Sequence, residues 1–406
     1  MKTIIFIGCN KSGSSREAIK AAERLGFFTV LFTDREYMFK NRIDYPDVHR
    51  MILTELSNVD LLKENIKAVQ DQGKDIAAIL SFIDPYVHVA AQLSKEFEIT
   101  AVPPEPLAKM EDKLSTRELL KDLSVSPYFT RIEKEEAWKE TVEKQAASFP
   151  LIVKTPVSTG SKDVLLVKNK TQLTRSINNF FKKGNKEVLL EEYLEGPQYL
   201  IEACVYKGQV QIIAVIEQEI TFSERFIVTG YCLLGNMEET FYDELYKTVC
   251  MILDRFNLKN GSCHLEMRLV NNQWKLIEIN PRISGGAMNR IIEIGTGINL
   301  VEETIKIFLG QEPNFERKYS KFVFAQYLIS DATGKLLKVT GKNRCSRIPG
   351  VEEVFIKPKK GKILHPPLSM GDRYGYVLAA SDDKEEARSI AKEAAKEIQF
   401  YIEPIE

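Results

Sequence analysis

The residues best suited to chemistry fall in one stretch. It reads Cys263-His264-Leu265-Glu266-Met267-Arg268-Leu269-Val270, then Asn271-Asn272-Gln273, then Trp274-Lys275-Leu276-Ile277-Glu278-Ile279-Asn280-Pro281-Arg282. Both arms alternate polar and apolar residues, as half-buried β-strands do. A two-residue loop at Asn271-Asn272 sets Glu266 opposite Ile277 and mixes charge with apolar side chains on each face. A three-residue loop sets Glu266 opposite Glu278, His264 opposite Asn280, Leu265 opposite Ile279 and Met267 opposite Ile277. Only the second register gives one polar and one apolar face, so it is the one expected. Two facing carboxylates repel unless something positive lies between them. A hard divalent cation with oxygen ligands answers that repulsion. Mg²⁺ shared with nucleotide phosphates fits best, and Mn²⁺ accepts the same donors. The candidate metal ligands are therefore Glu266, Glu278 and Asn280. Arg282, just beyond them, suits stabilisation of a phosphoryl group in transfer. The competing reading is a solvated sheet face carrying incidental acids.

Such a hairpin needs a large scaffold, and 406 residues imply two to four domains or lobes. A net charge of −1 offers no basic surface for a phosphate backbone, which argues against nucleic-acid binding. Cys9, Cys204, Cys232, Cys250, Cys263 and Cys345 are scattered without C-x-x-C spacing, so neither a zinc site nor a disulfide framework is expected. The apolar run Ile4–Ile7 is too short for a signal peptide, and no stretch approaches a membrane span. The cytoplasm is the expected location.

Residues 1–106 read as a doubly wound parallel-sheet domain. Strands at Ile4–Ile7, Thr29–Phe32 and Ile76–Leu80 alternate with helices at Ser15–Leu25, Val59–Gln70 and Val87–Phe97. Val102-Pro103-Pro104-Glu105-Pro106 reads as a break in regular structure and a boundary. Residues 107–187 and 188–320 then read as a smaller and a larger α+β lobe, and 321–406 as a C-terminal subdomain. Lys384–Glu397 reads as a solvated closing helix. Near the N-terminus, Gly8-Cys9-Asn10-Lys11-Ser12-Gly13 sits between strand and helix, where a dinucleotide fingerprint would be, with Asp34 after the second strand. Asn10 replaces the glycine that lets backbone approach a pyrophosphate, so a tight βα turn is the plainer reading. Ser12, Ser14 and Arg16 at that helix start are candidates for holding an anionic substrate group.

The hairpin residues His264-x-Glu266 and Glu278-Ile279-Asn280-Pro281-Arg282 resemble the metal-binding end of ATP-grasp ligases. Further resemblances run upstream in the same order. Lys113 and Lys154 resemble the two nucleotide-phosphate lysines. Ser158-Thr159-Gly160-Ser161-Lys162-Asp163 resembles the small-residue loop that closes over the phosphates. Glu191-Glu192-Tyr193-Leu194-Glu195-Gly196 resembles the hinge that holds adenine. The resemblance implies that adenine is read by the Glu191 carboxylate, the Glu192 carbonyl and the Leu194 N–H. Gln198 stands where many relatives have a ribose-binding glutamate, and Glu202, on the same strand face, is a candidate to assist it. Within the superfamily the chain looks most like L-amino-acid ligases and biotin-carboxylase-like ligases. Arg282-Ile283-Ser284-Gly285-Gly286-Ala287-Met288-Asn289 resembles the loop holding the reacting carboxylate, which makes Ser284, Gly285, Gly286 and Asn289 substrate candidates, with Arg16.

The fold so implied is an ATP-grasp fold behind a doubly wound N-terminal domain. The activity implied uses ATP and Mg²⁺ to activate a carboxylic acid, an amino acid by preference, as an acyl phosphate for attack by an amine. The alternatives are transfer to a carrier-protein thiol, an NAD-dependent dehydrogenase built on the N-terminal turn, and a non-catalytic nucleotide-binding module. Small-molecule partners and a homodimer are expected. His264 reads as an orienting group rather than a general base. Glu217-Gln218-Glu219 with Arg225 and Phe226 reads either as substrate wall or as ordinary strand.

Overall fold

A computed structural model describes residues 1–99, 102–134, 138–144, 149–156, 163–222 and 226–404. The N-terminal sheet holds four parallel strands in the order Arg50–Leu53, Phe28–Thr33, Thr3–Ile7, Ile76–Leu80. Ile4, Ile5, Phe6 and Ile7 are all buried, since helices cover both faces of the sheet. Ile5 and Ile7 join one apolar cluster while Ile4 and Phe6 join the other. The proline-rich stretch does not break the chain as expected. A helix, Pro104–Glu111, begins within it, because prolines in a first turn give up N–H groups that have no helical partner anyway.

The smaller lobe is an antiparallel sheet in the order Phe129–Glu133, Glu187–Glu192, Leu151–Lys154, Val164–Val167. Helix Lys170–Lys182, capped by the Asn169 side chain on the Gln172 N–H (2.9 Å), packs Leu173, Ile177 and Phe180 onto it. Since Glu187–Glu192 belongs to this sheet, the lobe reaches past residue 187 to Glu192.

An eight-stranded sheet follows. Its order is Gln273–Asn280, Gly261–Val270, Gln198–Tyr206, Gln209–Phe222, Phe226–Leu233, Phe322–Leu328, Gly375–Ser381, Val351–Ile356. Three strands from beyond residue 320 therefore continue the large sheet. Helix Lys384–Lys396 is not simply solvated: Ala387, Ala391 and Ala394 are buried, and Lys384 and Lys392 pair with Glu217 and Glu219 at 2.6 and 2.7 Å. Those two glutamates thus face the helix, and Gln218 between them faces the opposite side. Arg225, grouped with them from the sequence, lies outside the described residues.

The hairpin reaches the expected acid pairing by a different route. Glu266 faces Glu278, His264 faces Asn280 and Leu265 faces Ile279. Yet Val270 pairs with Gln273, so the loop has two residues rather than three. Asn271 (φ 48°) and Asn272 (φ 61°) both take the left-handed conformation of a type I′ turn, which Asn tolerates well. A bulge between Glu266 and Met267 absorbs the extra residue, and Met267 pairs with Leu276 instead of Ile277. Replacing Asn272 with valine should destabilise the chain by about 1–2 kcal/mol, because a β-branched residue resists that conformation. Glycine there should be nearly neutral. Urea midpoints of the two variants check this.

Candidate active site

Glu266 and Glu278 lie side by side where the large sheet meets the smaller lobe. Burial, and then the neighbouring Glu278 charge, push the Glu266 carboxyl up to about 7. Lys113 Nζ lies 3.4 Å from Glu278 Oε1, and the Gln198 amide donates to Glu266 Oε2 at 3.3 Å. His264 is bonded at both ring nitrogens. Nδ1–H donates to the Arg282 carbonyl (3.0 Å), and Nε2 accepts from Asn280 Nδ2 (3.2 Å). Burial drives its pKa down to about 4, so the ring is neutral and fits an orienting role. Asn280 Nδ2 also reaches Glu278 Oε1 at 3.3 Å, which leaves its amide oxygen as the atom available to a cation. Among the described residues no cluster of three His, Cys, Asp or Glu side chains is arranged around a metal position. Two carboxylates and an amide oxygen, with other positions open to phosphate and water, are nonetheless a donor set that suits Mg²⁺.

A buried ionic chain of Arg117, Glu191 and Lys154 lies beside this pair. Lys113 opens helix Lys113–Leu120, where the Asp112 side chain caps the Ser115 N–H at 2.6 Å. Arg117 lies one turn on, on the same face and 1% exposed. Its Nε bonds Glu191 Oε1 (2.6 Å), and its Nη2 bonds the carbonyl of Ile277, the residue displaced by the bulge (2.6 Å). Glu191 Oε2 pairs with Lys154 Nζ at 2.7 Å. Burial opposes ionisation of Glu191, but the two cations hold its carboxyl below the usual range. Burial lowers Lys154 to about 8 against the pull of Glu191. The structure therefore corrects the adenine-reading expectation for Glu191. Both carboxylate oxygens are engaged, and the group anchors Lys154.

The Glu192 carbonyl and the Leu194 N–H, named with Glu191 for adenine, are distinct from the groups these two residues use in the fold. The Glu192 carboxylate accepts the Tyr128 N–H at 2.8 Å. Leu194 is buried and its carbonyl accepts from Arg268. Gln198 accepts from Arg268 Nε (3.0 Å) and donates to Gln218 (3.0 Å) as well as to Glu266, so its amide belongs to a sheet network rather than pointing at a ribose. Glu202 does not assist it. Its buried carboxylate accepts the Ser284 N–H at 3.1 Å and the Ser284 hydroxyl, and burial raises its pKa to about 7. Ser158, Thr159, Gly160 and Ser161 lie outside the described residues.

Arg282 reaches back to the N-terminal domain, where its guanidinium makes a two-pronged bond to Asp84, with Nε to Oδ1 at 3.0 Å. The substrate-loop candidates knit the same two parts together. Ser14 donates to the Ser284 carbonyl, and Asn289 Nδ2 bonds Ser14 Oγ (3.0 Å) and Glu17 Oε2 (2.9 Å). Gly285 and Gly286 are exposed. Gly13, at φ 84°, must be glycine, because a Cβ there would lie 2.9 Å from the Gly286 nitrogen. Arg16 is a correction: its guanidinium is paired with Asp47 and lies over the Tyr45 ring, so it is not free for a substrate anion.

Sequence reading missed Arg117 and Asp84. The four-residue spacing from Lys113 was a usable signal for Arg117. Asp84 had none, since it meets Arg282 across 198 positions. Replacing Arg117 with methionine leaves Glu191 with one partner in a buried site and should cost about 3–5 kcal/mol. Adding Glu191→Gln should recover part of that loss, and urea unfolding of both variants measures it.

Three domain families match the chain in order. They are the ATP-grasp N-terminal domain over residues 19–99, the ATP-grasp domain over 147–290, and the L-amino acid ligase C-terminal domain 2 over 326–403. Dapdiamide A synthase from Enterobacter agglomerans is 23% identical over 269 residues, 63% of each chain and so just under two thirds of that synthase. The crystal structure of an L-amino acid ligase from Bacillus licheniformis superposes with TM-score 0.82 at 18% identity, covering 99% of both chains. The biotin carboxylase domain dimer of Hydrogenobacter thermophilus 2-oxoglutarate carboxylase, solved with MgADP and bicarbonate, superposes with TM-score 0.73 at 16% identity, covering 99% of this chain and 91% of that one. At such identities these likenesses carry the fold. With the three domain families set over the sheets and the acid pair described above, the chain belongs to the ATP-grasp superfamily and is an ADP-forming carboxylate–amine ligase.

Proposed function

We propose that this ligase activates a carboxylic acid of the amino-acid class as an acyl phosphate and joins it to an amine as an amide. The observation that carries the reading is the facing pair Glu266 and Glu278, with Lys113 beside it and Arg282 two residues beyond Asn280. The likeness to a dapdiamide synthase and to an L-amino acid ligase supports the amino-acid class.

Each residue has a role in keeping with its surroundings. Glu266, Glu278 and Asn280 would hold Mg²⁺, whose charge offsets that of the phosphates. Lys113 and Lys154 are point charges for the nucleotide phosphates. Oxygen of the substrate carboxylate attacks the γ-phosphorus, the bond to the bridging oxygen breaks, and ADP leaves. Arg282, held in one orientation by Asp84, steadies the transferring group and the acyl phosphate formed from it. The amine then attacks the acyl carbon, phosphate departs with its oxygen, and the amine loses a proton. His264 is not the acceptor of that proton, because both its nitrogens are already bonded.

Alanine at Glu278 should abolish ADP formation while leaving the fold intact by circular dichroism. Near-normal turnover in that variant, measured over an amino-acid panel tested singly and in pairs, overturns the metal assignment. A second outcome concerns pH. Bound phosphate favours the Lys154 ammonium, and the free enzyme loses that proton near pH 8. Nucleotide affinity should therefore be full below pH 8 and fall above it, by roughly tenfold per pH unit at the limit. Calorimetry with MgADP from pH 7 to 9.5 reads the slope, and Lys154→Met should flatten it.

A further inference from the structure

Arg373 sits between the short turn Met370–Asp372 and strand Gly375–Ser381. Its guanidinium lies over the Tyr327 ring, 3.9 Å from the centroid, with the Tyr231 ring at 5.6 Å. Its hydrogen bonds go to neutral groups: the Met370 carbonyl at 3.1 Å, the Val228 carbonyl at 3.2 Å and the Tyr231 hydroxyl at 3.4 Å. Among the described residues its electrostatic neighbours are the two tyrosines and the like charge of Lys357, with no carboxylate. Arg16, Arg117 and Arg282, by contrast, each have one. Glu353, on the neighbouring strand, is taken by Arg290 at 2.9 Å and by the Tyr376 hydroxyl at 2.8 Å.

Two further polar groups on this wall have a hydrogen-bond donor with no acceptor. The buried Tyr327 hydroxyl oxygen faces the Ala287 backbone N–H, which leaves its own proton without an acceptor, and the buried Gln218 amide nitrogen has none either. Tyr327 is 7% exposed and Gln218 8%. The Tyr327 hydroxyl looks toward the substrate loop, since a Cβ on Gly286 would come 3.5 Å from it. Gln218 stands opposite Tyr231 in the sheet register, and its oxygen is already bonded to Gln198 in the network that touches Glu266. Gly286 is four residues past Arg282, so this wall adjoins the reaction centre. A guanidinium without a carboxylate, a hydroxyl proton without an acceptor and an amide N–H without one, set around Tyr231 on one face of the sheet, are costly unless an acceptor with several lone pairs completes them. A planar carboxylate does so, and the aromatic faces keep the guanidinium plane fixed toward it.

We propose that Arg373, Tyr327 and Gln218 form a subsite for a carboxylate other than the one activated. That carboxylate belongs either to a second acid group on the activated substrate or to an amino acid serving as the amine. The proposal rests on the ligase reading above and deepens it. It makes Arg373 a specificity-determining residue.

Two comparisons of ADP formation test it. L-glutamate and L-aspartate are set against L-glutamine and L-asparagine as acids, and amino acids against their C-terminal amides as amines. One arm should show at least about a tenfold fall in kcat/KM when the non-reacting carboxylate is neutralised, and that arm names the source. Arg373→Ala should raise KM for the same compound by about tenfold and leave KM for ATP within about twofold. Tyr327→Phe, which keeps the ring and removes only the hydroxyl, should raise it several-fold and carries the test if the arginine variant misfolds. Equal handling of acids and amides, or an unchanged KM in these variants, overturns the subsite. Calorimetry of the same compounds on MgADP-loaded protein separates the two readings. Arg373-dependent binding without ADP formation keeps the subsite and removes the ligase reading. ADP formation indifferent to Arg373 does the reverse. Absence of both overturns both.

Discussion

Opposed carboxylates on one β-ribbon are the constraint around which the rest of the structure is arranged. Glu266 and Glu278 sit in register and partly desolvated, so their mutual repulsion has to be balanced by positive charge. Lys113 supplies part of it, and the donor set suits a divalent cation for the rest. The register is not a free choice. The left-handed Asn271-Asn272 turn determines the hairpin's start, and one bulged residue moves Glu278 into place. That bulge also frees the Ile277 carbonyl for Arg117, so the same irregularity aligns the acids and ties them to the helix that carries Lys113.

Buried ion pairs then join the parts of the chain. Arg117, Glu191 and Lys154 form a relay between the smaller lobe and the hairpin. Arg282 and Asp84 form the link to the N-terminal domain. Such pairs add little net stability compared with apolar packing, yet each is costly to break once formed. Their value here is positional. Lys154 is held in place by Glu191, and Arg282 is kept in one orientation by Asp84. Ser14 and Asn289 bring the N-terminal helix against the loop that follows Arg282, so the candidate site lies where three parts of the chain meet.

Much of this was legible in the residues. Alternating polarity over 263–282 was enough to predict which acids face each other, because any other register puts charge on the apolar side. The strand–helix alternation of the first hundred residues carried the parallel sheet for the same reason: strands buried on both faces read as unbroken apolar runs. Local detail was less secure. The turn length and the Met267 pairing were misjudged, since a bulge costs little and has no sequence signature of its own. Pro104 began a helix where its neighbours suggested a break.

What the sequence determined by itself was therefore the family of chemistry: the carboxylate pair, the lysines and the arginine, set in order along the chain. Only the tertiary structure decided which of those side chains are available. Glu191, Gln198 and Arg16 look equally free on paper, and all three are committed to partners: Glu191 to Arg117 and Lys154, Gln198 to Arg268 and Gln218, and Arg16 to Asp47. Arg373 looks like any surface arginine, yet it lies over aromatic rings with no carboxylate paired to it among the described residues. The reason is physical. Residue type sets what a group can bind, but desolvation and pairing are set by neighbours brought from distant positions, and no local pattern encodes them.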